Sequence, residues 1–343
     1  MSWSFRPFLL AALLGIGDVV FAQDLRVRPV VGGLPADSGF ALGLELQRTG
    51  LLGPADVRTK LIGSVRKYWL LESALEIDQL STPWLSLTVA GRYRNYPQED
   101  FWGLGPDTQP EQRSNFLQED LDAMVAVAVS FQRMRAGSAA GFLKINTGPG
   151  RDDRFPSVPE SLQSSPRYTH AGLFLQYDGL DDASDPRVGE KYEIRWTTFG
   201  TLFQRYEIDL RRFVPIAAKD RLGFRLQAVF TDSTPGAVVP FFMLPTAGGV
   251  DTVRGFKQYR FRDNHSLVLN TEYRRSVLTS LDAVGFIDAG RVFSRARQLG
   301  LGDLRPSAGI GARLRFDELL FFGVDFAFSG EGRQLWFRGG HTF

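Results

Sequence analysis

The sequence predicts an all-β fold, a transmembrane antiparallel β-barrel of about sixteen strands, from three observations. Apolar and polar residues alternate with period two along most of the 343-residue chain. The apolar face is built mainly from Phe and Leu, whereas the opposite face carries more Arg and Glu than the rim of a soluble sandwich needs. No apolar run approaches the roughly 20 residues that a membrane-spanning helix requires.

Composition supports an exported barrel. The 28 Phe and 36 Gly residues, together with 23% charged residues, are typical of a barrel wall whose aromatic residues face lipid and whose charged residues face a water-filled lumen. The absence of cysteine fits an exported protein without disulfides. A formal net charge of +2 gives no reason to expect a nucleic-acid partner.

The N-terminus predicts a signal peptide. Arg6 precedes an apolar run from Phe8 to Ile16, and small residues ending at Ala22 form a cleavage site before Gln23. We therefore expect residues 1–22 to be removed and residues 23–343 to form the outer-membrane barrel.

Alternation divides the mature chain into sixteen predicted strands of about 7 to 12 residues, near the nine to eleven that a tilted membrane strand requires. They are placed at 26–32, 39–48, 57–66, 68–78, 84–95, 121–132, 138–147, 168–178, 190–200, 203–213, 221–231, 266–276, 282–292, 308–316, 319–328 and 334–343. An even number brings both termini to the periplasmic side. The longest connections then all fall on the outer side: 96–120, 148–167, 232–265 and 293–307.

One outer connection contains a conspicuous arginine motif, VRGF. The segment comprises Gly248, Gly249, Val253, Arg254, Gly255 and Phe256. The paired glycines allow backbone angles that other residues resist. An arginine in a confined lumen keeps its charge and needs carboxylates. Glu272 and Asp288 lie on the polar faces of the next two predicted strands.

These elements resemble the BamA/TamA superfamily of outer-membrane proteins, also called the bacterial surface antigen family. The sequence GFIDAG around Asp288 is similar to the family's G-x-F-x-D-x-G element. The resemblance implies that the outer loop folds back into the lumen and that Arg254 pairs with Glu272 and Asp288. We call these three residues the lumenal lock.

By the same resemblance, the expected function is insertion or translocation of polypeptide or lipid at the outer membrane. In relatives the barrel opens between its first and last strands. Residues that weaken or mark this candidate lateral seam are Pro29, Gly32, Gly33, Gly339, Gly340 and Phe343. The expected partners are outer-membrane lipid, client polypeptides and a separately encoded periplasmic protein.

An alternative function is a passive pore, or an anchor for that periplasmic partner. The first strand begins close to the predicted cleavage site, so we expect no POTRA domain, the periplasmic module that captures clients in relatives. The mixture of inward arginines and acids favours charges paired along the wall over a selective anion pore.

Two further segments leave alternatives open. RNYPQEDFWGLGPDT at 94–108 fits either a plug or partner-binding loop, or an aromatic loop anchored at the membrane interface. The acid-rich stretch 178–189 could hold calcium. It resembles more closely the family's Asp-x-Arg-Asp turn with Pro and Gly, except that Leu180 replaces the usual Arg, and we predict a periplasmic turn.

Catalysis has little support. The histidines are His170, His265 and His341, and neither GxSxG nor HExxH occurs. A phospholipase would need an activated serine, for which Ser164, Ser165 or Ser266 could be considered. Ser266 follows His265 directly, and adjacent strand residues point to opposite faces. We predict no enzymatic activity, cofactor or metal.

Overall fold

The computed structural model describes residues 19–22, 25–51, 54–316 and 319–338. The strands in these residues are β1 (Val19–Ala22), β2 (Leu25–Val31), β3 (Ala41–Arg48), β4 (Ala55–Ser64), β5 (Trp69–Ile77), β6 (Leu85–Phe101), β7 (Ser114–Phe131), β8 (Met134–Pro149), β9 (Arg167–Asp178), β10 (Gly189–Phe199), β11 (Phe203–Ala217), β12 (Asp220–Ser233), β13 (Thr246–Ala247), β14 (Phe261–Arg262), β15 (His265–Leu278), β16 (Leu281–Phe293), β17 (Arg305–Phe316), β18 (Leu319–Ser329) and β19 (Gly332–Arg338).

Sixteen of these described strands, β2–β12 and β15–β19, form a nearly closed antiparallel barrel. Each pairs with the next along the chain, so the sheet is an uninterrupted series of hairpins. Strand β1 pairs with β2, and β13 pairs with β14 inside a loop. The predicted fold class and strand number are confirmed.

Short 3-10 turns occur in the connections, at Ala36–Ser38, Pro110–Gln112, Glu160–Leu162, Phe241–Met243 and Ala296–Gln298. In the part of the chain that the structure describes, no helix is long and apolar enough to cross a membrane.

The predicted strand lengths were wrong on one side of the barrel. Strands β6, β7 and β8 have 17, 18 and 16 residues, so the connections predicted at 96–120 and 148–167 shorten to 102–113 and 150–166. The β6–β7 ladder continues to Phe101 and Ser114 after a register shift between Tyr96 and Glu99. Pro97, which has no N–H, lies in that shift, and a bulge accommodates it without ending the pairing.

The two alternating faces of each strand form the inner and outer surfaces of the barrel wall. On β16, Asp288 is fully buried inside, whereas Ile287 is 63% exposed on the outer surface. On β15, Glu272 is buried and Tyr273 is exposed. The polar face of each strand therefore points into the barrel, as the sequence predicted.

Candidate functional site

The VRGF segment begins with a turn made by two glycines. Gly248 and Gly249 have φ of 112° and 108°, in the region that other residues avoid. The Gly249 N–H points at the carbonyl oxygens of Val253 and Phe256, each 3.2 Å away. This compact turn presents Arg254 to the inward face of the neighbouring strands.

Arg254 is bound by two carboxylates. Its Nε and Nη2 donate to Asp288 Oδ2 and Oδ1, both at 2.8 Å, which is a bidentate pair. Its Nη1 donates to Glu272 Oε2 at 2.8 Å. The guanidinium also lies 3.5 Å from the centroid of the Phe286 ring. The structure thus brings together all three residues of the lumenal lock.

Arg313 and Asp325 extend this network. Alternation places both among the inward charges of the wall, but it does not indicate their contact with the lumenal lock. Arg313 on β17 donates to both oxygens of Asp325 on β18, at 2.6 and 3.0 Å. Arg313 Nη2 also lies 3.4 Å from Glu272, and Asp325 lies 3.6 Å from Arg254. Since all these side chains are at most 2% exposed, each charge depends on its neighbours.

The segment also contacts the last three strands through neutral groups. The Gly255 N–H donates to Ser307 Oγ at 3.1 Å, and Ser329 Oγ donates to the Gly255 carbonyl at 2.7 Å. Trp336 on β19 donates its indole N–H to the Arg254 carbonyl at 2.6 Å. The VRGF segment is therefore attached to every strand from β15 to β19.

Two glycines make this close approach possible. A Cβ on Gly255 would lie 2.7 Å from the Phe328 carbonyl oxygen, and a Cβ on Gly290 would lie 2.6 Å from Val253 Cγ2. Gly290 is the last residue of the GFIDAG element. It leaves room for Val253, the valine of the VRGF motif.

The FWGLG stretch packs on the same segment. The Gly105 N–H donates to the Arg262 carbonyl at 2.8 Å, and Arg260 binds Thr108 Oγ1 at 2.8 Å and the Thr108 carbonyl at 2.6 Å. Trp102 is only 2% exposed, with the Arg260 guanidinium 5.5 Å from its ring centroid. The interpretation of an aromatic loop at the lipid interface was therefore wrong for Trp102, which lies inside the outer mouth.

The acid-rich stretch 178–189 connects β9 to β10 and reaches strands far from both. Asp185 accepts hydrogen bonds from Arg274 at 2.8 Å and Arg315 at 2.9 Å, and also from Arg221. These arginines lie on β15, β17 and β12. The predicted periplasmic turn thus folds over the mouth of the barrel, a contact that the sequence did not indicate.

A cavity of about 620 Å3 occupies the other half of the lumen. Arg92, Arg94, Arg135, Arg195 and His170 are among its polar lining. Residues 242–246, in the connection between β12 and β15 that carries the VRGF segment, line the cavity on its outer side. It extends to Glu76 and Arg135, near the periplasmic ends of β5 and β8.

The structure does not bring the candidate catalytic residues together. His170 Nε2 lies 2.9 Å from Asp122, and His265 Nδ1 accepts the Thr231 N–H at 3.3 Å. Ser165 Oγ donates to Asn146. Among the described residues, no hydrogen bond joins these histidines to the serines considered above. His341 lies outside the described residues.

The candidate seam is described only in part. Pro29 lies within β2, opposite Leu44 of β3. Gly32 and Gly33 follow β2 with φ of 78° and 81°. Gly339, Gly340 and Phe343 lie outside the described residues, as does most of the predicted signal peptide.

Comparisons with known proteins agree on the fold. An Omp85 superfamily domain model matches residues 128–343. BamA from Haemophilus ducreyi lacking POTRA domains 1-3 superimposes with a TM-score of 0.68 at 14% identity, covering 93% of this chain and 70% of that chain. CdiB from Escherichia coli gives 0.64 at 13% identity, covering 95% of this chain and 64% of that chain.

CdiB from Acinetobacter baumannii gives a TM-score of 0.59 at 12% identity, covering 93% of this chain and 56% of that chain. This chain therefore spans less than two thirds of either CdiB chain. No curated protein sequence matches it. At these identities the structural likeness establishes the fold, and the match to the family model confirms the resemblance on which the sequence predictions rested.

Proposed function

The chain belongs to the Omp85 superfamily and is a bacterial outer-membrane β-barrel, and from this premise we propose that it inserts or translocates polypeptide or lipid by opening its wall between β19 and β2. The observation that carries the proposal is the uneven height of the wall. Strand β3, next to β2, has 8 residues, whereas β7, four strands further along the wall, has 18.

Strand length converts directly into height. At about 3.4 Å per residue and a tilt of about 40°, β3 rises roughly 21 Å, less than the ~25 Å apolar band of an outer-membrane barrel. A wall shorter than the bilayer thins the lipid around it. Thinned lipid beside β2–β5 lowers the barrier to moving a polar backbone into the membrane there.

The occupied lumen supports a route through the wall. A polypeptide passing along the inner face of β15–β19 would have to displace Arg254 from Asp288 and Glu272. Separating one partner of a buried pair costs about 3–5 kcal/mol. At the seam, by contrast, Pro29 lacks a ladder donor, so β2 pairs less strongly than an ordinary strand.

Disulfide crosslinking tests the proposal, because the chain contains no cysteine. Cysteines near Val30 and Phe337 should crosslink β2 to β19, block this protein's activity and lower the levels of the other outer-membrane barrels that depend on it. Cysteines at Leu210 and Leu226, which face each other across β11 and β12, provide the matched control. Normal levels of the other barrels with the seam crosslinked would contradict wall opening.

The cavity favours a second candidate, a passive pore. Ions could cross the barrel only if residues 242–246 moved, since these residues line the outer side of the cavity. Purified protein in planar bilayers distinguishes the two candidates. Steady ion conductance in the seam-crosslinked protein, with unchanged levels of other barrels after depletion, would support the pore.

A further inference from the structure

We infer that Asp185 is a positioning residue for the lumenal lock, because it holds Arg274 against Glu272 and so couples the periplasmic β9–β10 turn to the VRGF segment. This coupling controls the loop whether or not the barrel inserts clients, and it is measured as loop opening rather than as activity.

The first step is the position of Asp185. Its carboxylate, 11% exposed, lies among three guanidiniums, from Arg221, Arg274 and Arg315. Strands β12, β15 and β17 do not pair with β9 or β10. The turn therefore reaches them across the barrel mouth, and these ion pairs fix its position.

The second step is the shared guanidinium of Arg274. Its Nη1 donates to Asp185 Oδ1 at 2.8 Å, and its Nη2 donates to Glu272 Oε1 at 3.1 Å. The other oxygen of Glu272 accepts from Arg254 Nη1 at 2.8 Å. Because a guanidinium is planar and rigid, its contact with Asp185 sets the direction in which it meets Glu272.

The third step is the balance of charge at the rim. Asp282 on β16 also binds Arg315, at 2.5 Å, and lies 3.6 Å from Arg221. With Asp185 present, Asp185 and Asp282 serve the three guanidiniums at this rim, and Glu272 binds Arg274 from inside the lumen. Without Asp185 the rim carries more positive charge, and the mutual repulsion of the arginines displaces Arg274 from its present position. Glu272 then loses one of the arginines that hold it beside Arg254, another being Arg313.

The test is hydrogen–deuterium exchange of the full-length folded protein in detergent. In Asp185→Asn, amides 248–258 should exchange at least about five times faster, the lower end of the 5–150-fold effects typical of coupled sites. Asp182→Asn is the matched control, because Asp182 is exposed and accepts only the N–H groups of Ser184 and Asp185 within the turn. In Asp182→Asn, amides 248–258 should exchange at the wild-type rate.

Three additional variants separate coupling from general destabilisation. Asp185→Glu should restore slow exchange at 248–258, since it keeps the charge. Arg221→Gln should leave 248–258 unchanged, because Arg221 contacts Asp185 and Asp282 but is not bonded to Glu272 among the described contacts. Combining Asp185→Asn with Arg274→Gln should open 248–258 no more than Arg274→Gln alone.

Faster exchange confined to residues 179–188 in Asp185→Asn would overturn the inference. So would a simple addition of effects in the double variant. If Asp185→Asn does not assemble, Arg274→Lys tests the same link, since a single ammonium cannot reproduce a fork that bridges two carboxylates. Wild-type exchange at 248–258 in that variant would equally refute the coupling.

Discussion

The two halves of the barrel use similar charged residues in different ways. In the half formed by β12 and β15–β19, Arg254, Glu272, Asp288, Arg313 and Asp325 are at most 2% exposed and bind one another. In the half formed by β5–β11, Arg92 lies 3.5 Å from Asp122 with their side chains 39% and 23% exposed, beside the cavity. Arg92 and Asp122 face a hydrated space.

The inserted segment accounts for the difference. Where the VRGF segment lies against the wall, it excludes water and supplies the arginine that the acids require. Where it is absent, the same alternation produces a solvated chamber. Among the described residues, the Arg254 network is therefore drier than the Arg92–Asp122 contact, and the effects of mutations at these two places should differ accordingly.

The largest expected effect follows from removing Arg254. Arg254→Ala leaves Asp288 without its bidentate partner inside a dry network, at a cost of about 3–5 kcal/mol. The outer loop 232–265 should then become accessible to protease in intact cells, and the barrel should unfold at a lower temperature on unboiled gels. Arg297→Ala, in the exposed turn Ala296–Gln298, is the control. Equal protease access in wild type and Arg254→Ala would show that Arg254 does not tether the loop.

A smaller effect is expected from overpacking the same half. Gly290→Ala places a Cβ 2.6 Å from Val253 Cγ2, whereas Gly285→Ala on the same strand meets no atom within 4 Å. Overpacking costs about 1–3 kcal/mol. The thermal unfolding midpoint should fall for Gly290→Ala only. If both variants lower it equally, the cost comes from strand β16 itself rather than from contact with the loop.

The sequence predicted this half of the barrel better than it predicted the other. Alternation placed Glu272 and Asp288 on the polar face, and the chemistry of arginine supplied the reason for them to meet Arg254. Alternation also placed Arg313 and Asp325 on the inward face, but their contact with the lumenal lock was missed because closeness to Glu272 depends on strand register, which alternation does not give. Asp185 was missed because its partners come from strands about 40 to 130 residues later in the chain.

In the other half, the alternation of apolar and polar residues does not predict the full length of the strands. The sequence predicts strands at 84–95 and 121–132, whereas β6 extends to Phe101 and β7 begins at Ser114. The strands continue because each remains paired with its neighbour above the bilayer. Backbone pairing outside lipid leaves no apolar pattern, so the extended wall, and the loops that close it, could be found only from the structure.

The smallest effect is expected in the half formed by β5–β11, which contains the cavity. Asp122 on β7 contacts Arg92 at 3.5 Å and His170 at 2.9 Å. Because these groups adjoin the cavity and water can replace either contact, Asp122→Asn should change the unfolding free energy by no more than about 1 kcal/mol. The matched variant is Asp288→Asn in the dry half, measured by urea unfolding in the same detergent. A loss at Asp122 as large as that at Asp288 would mean that the chamber is as dry as the lumenal lock, and the distinction between the two halves would fail.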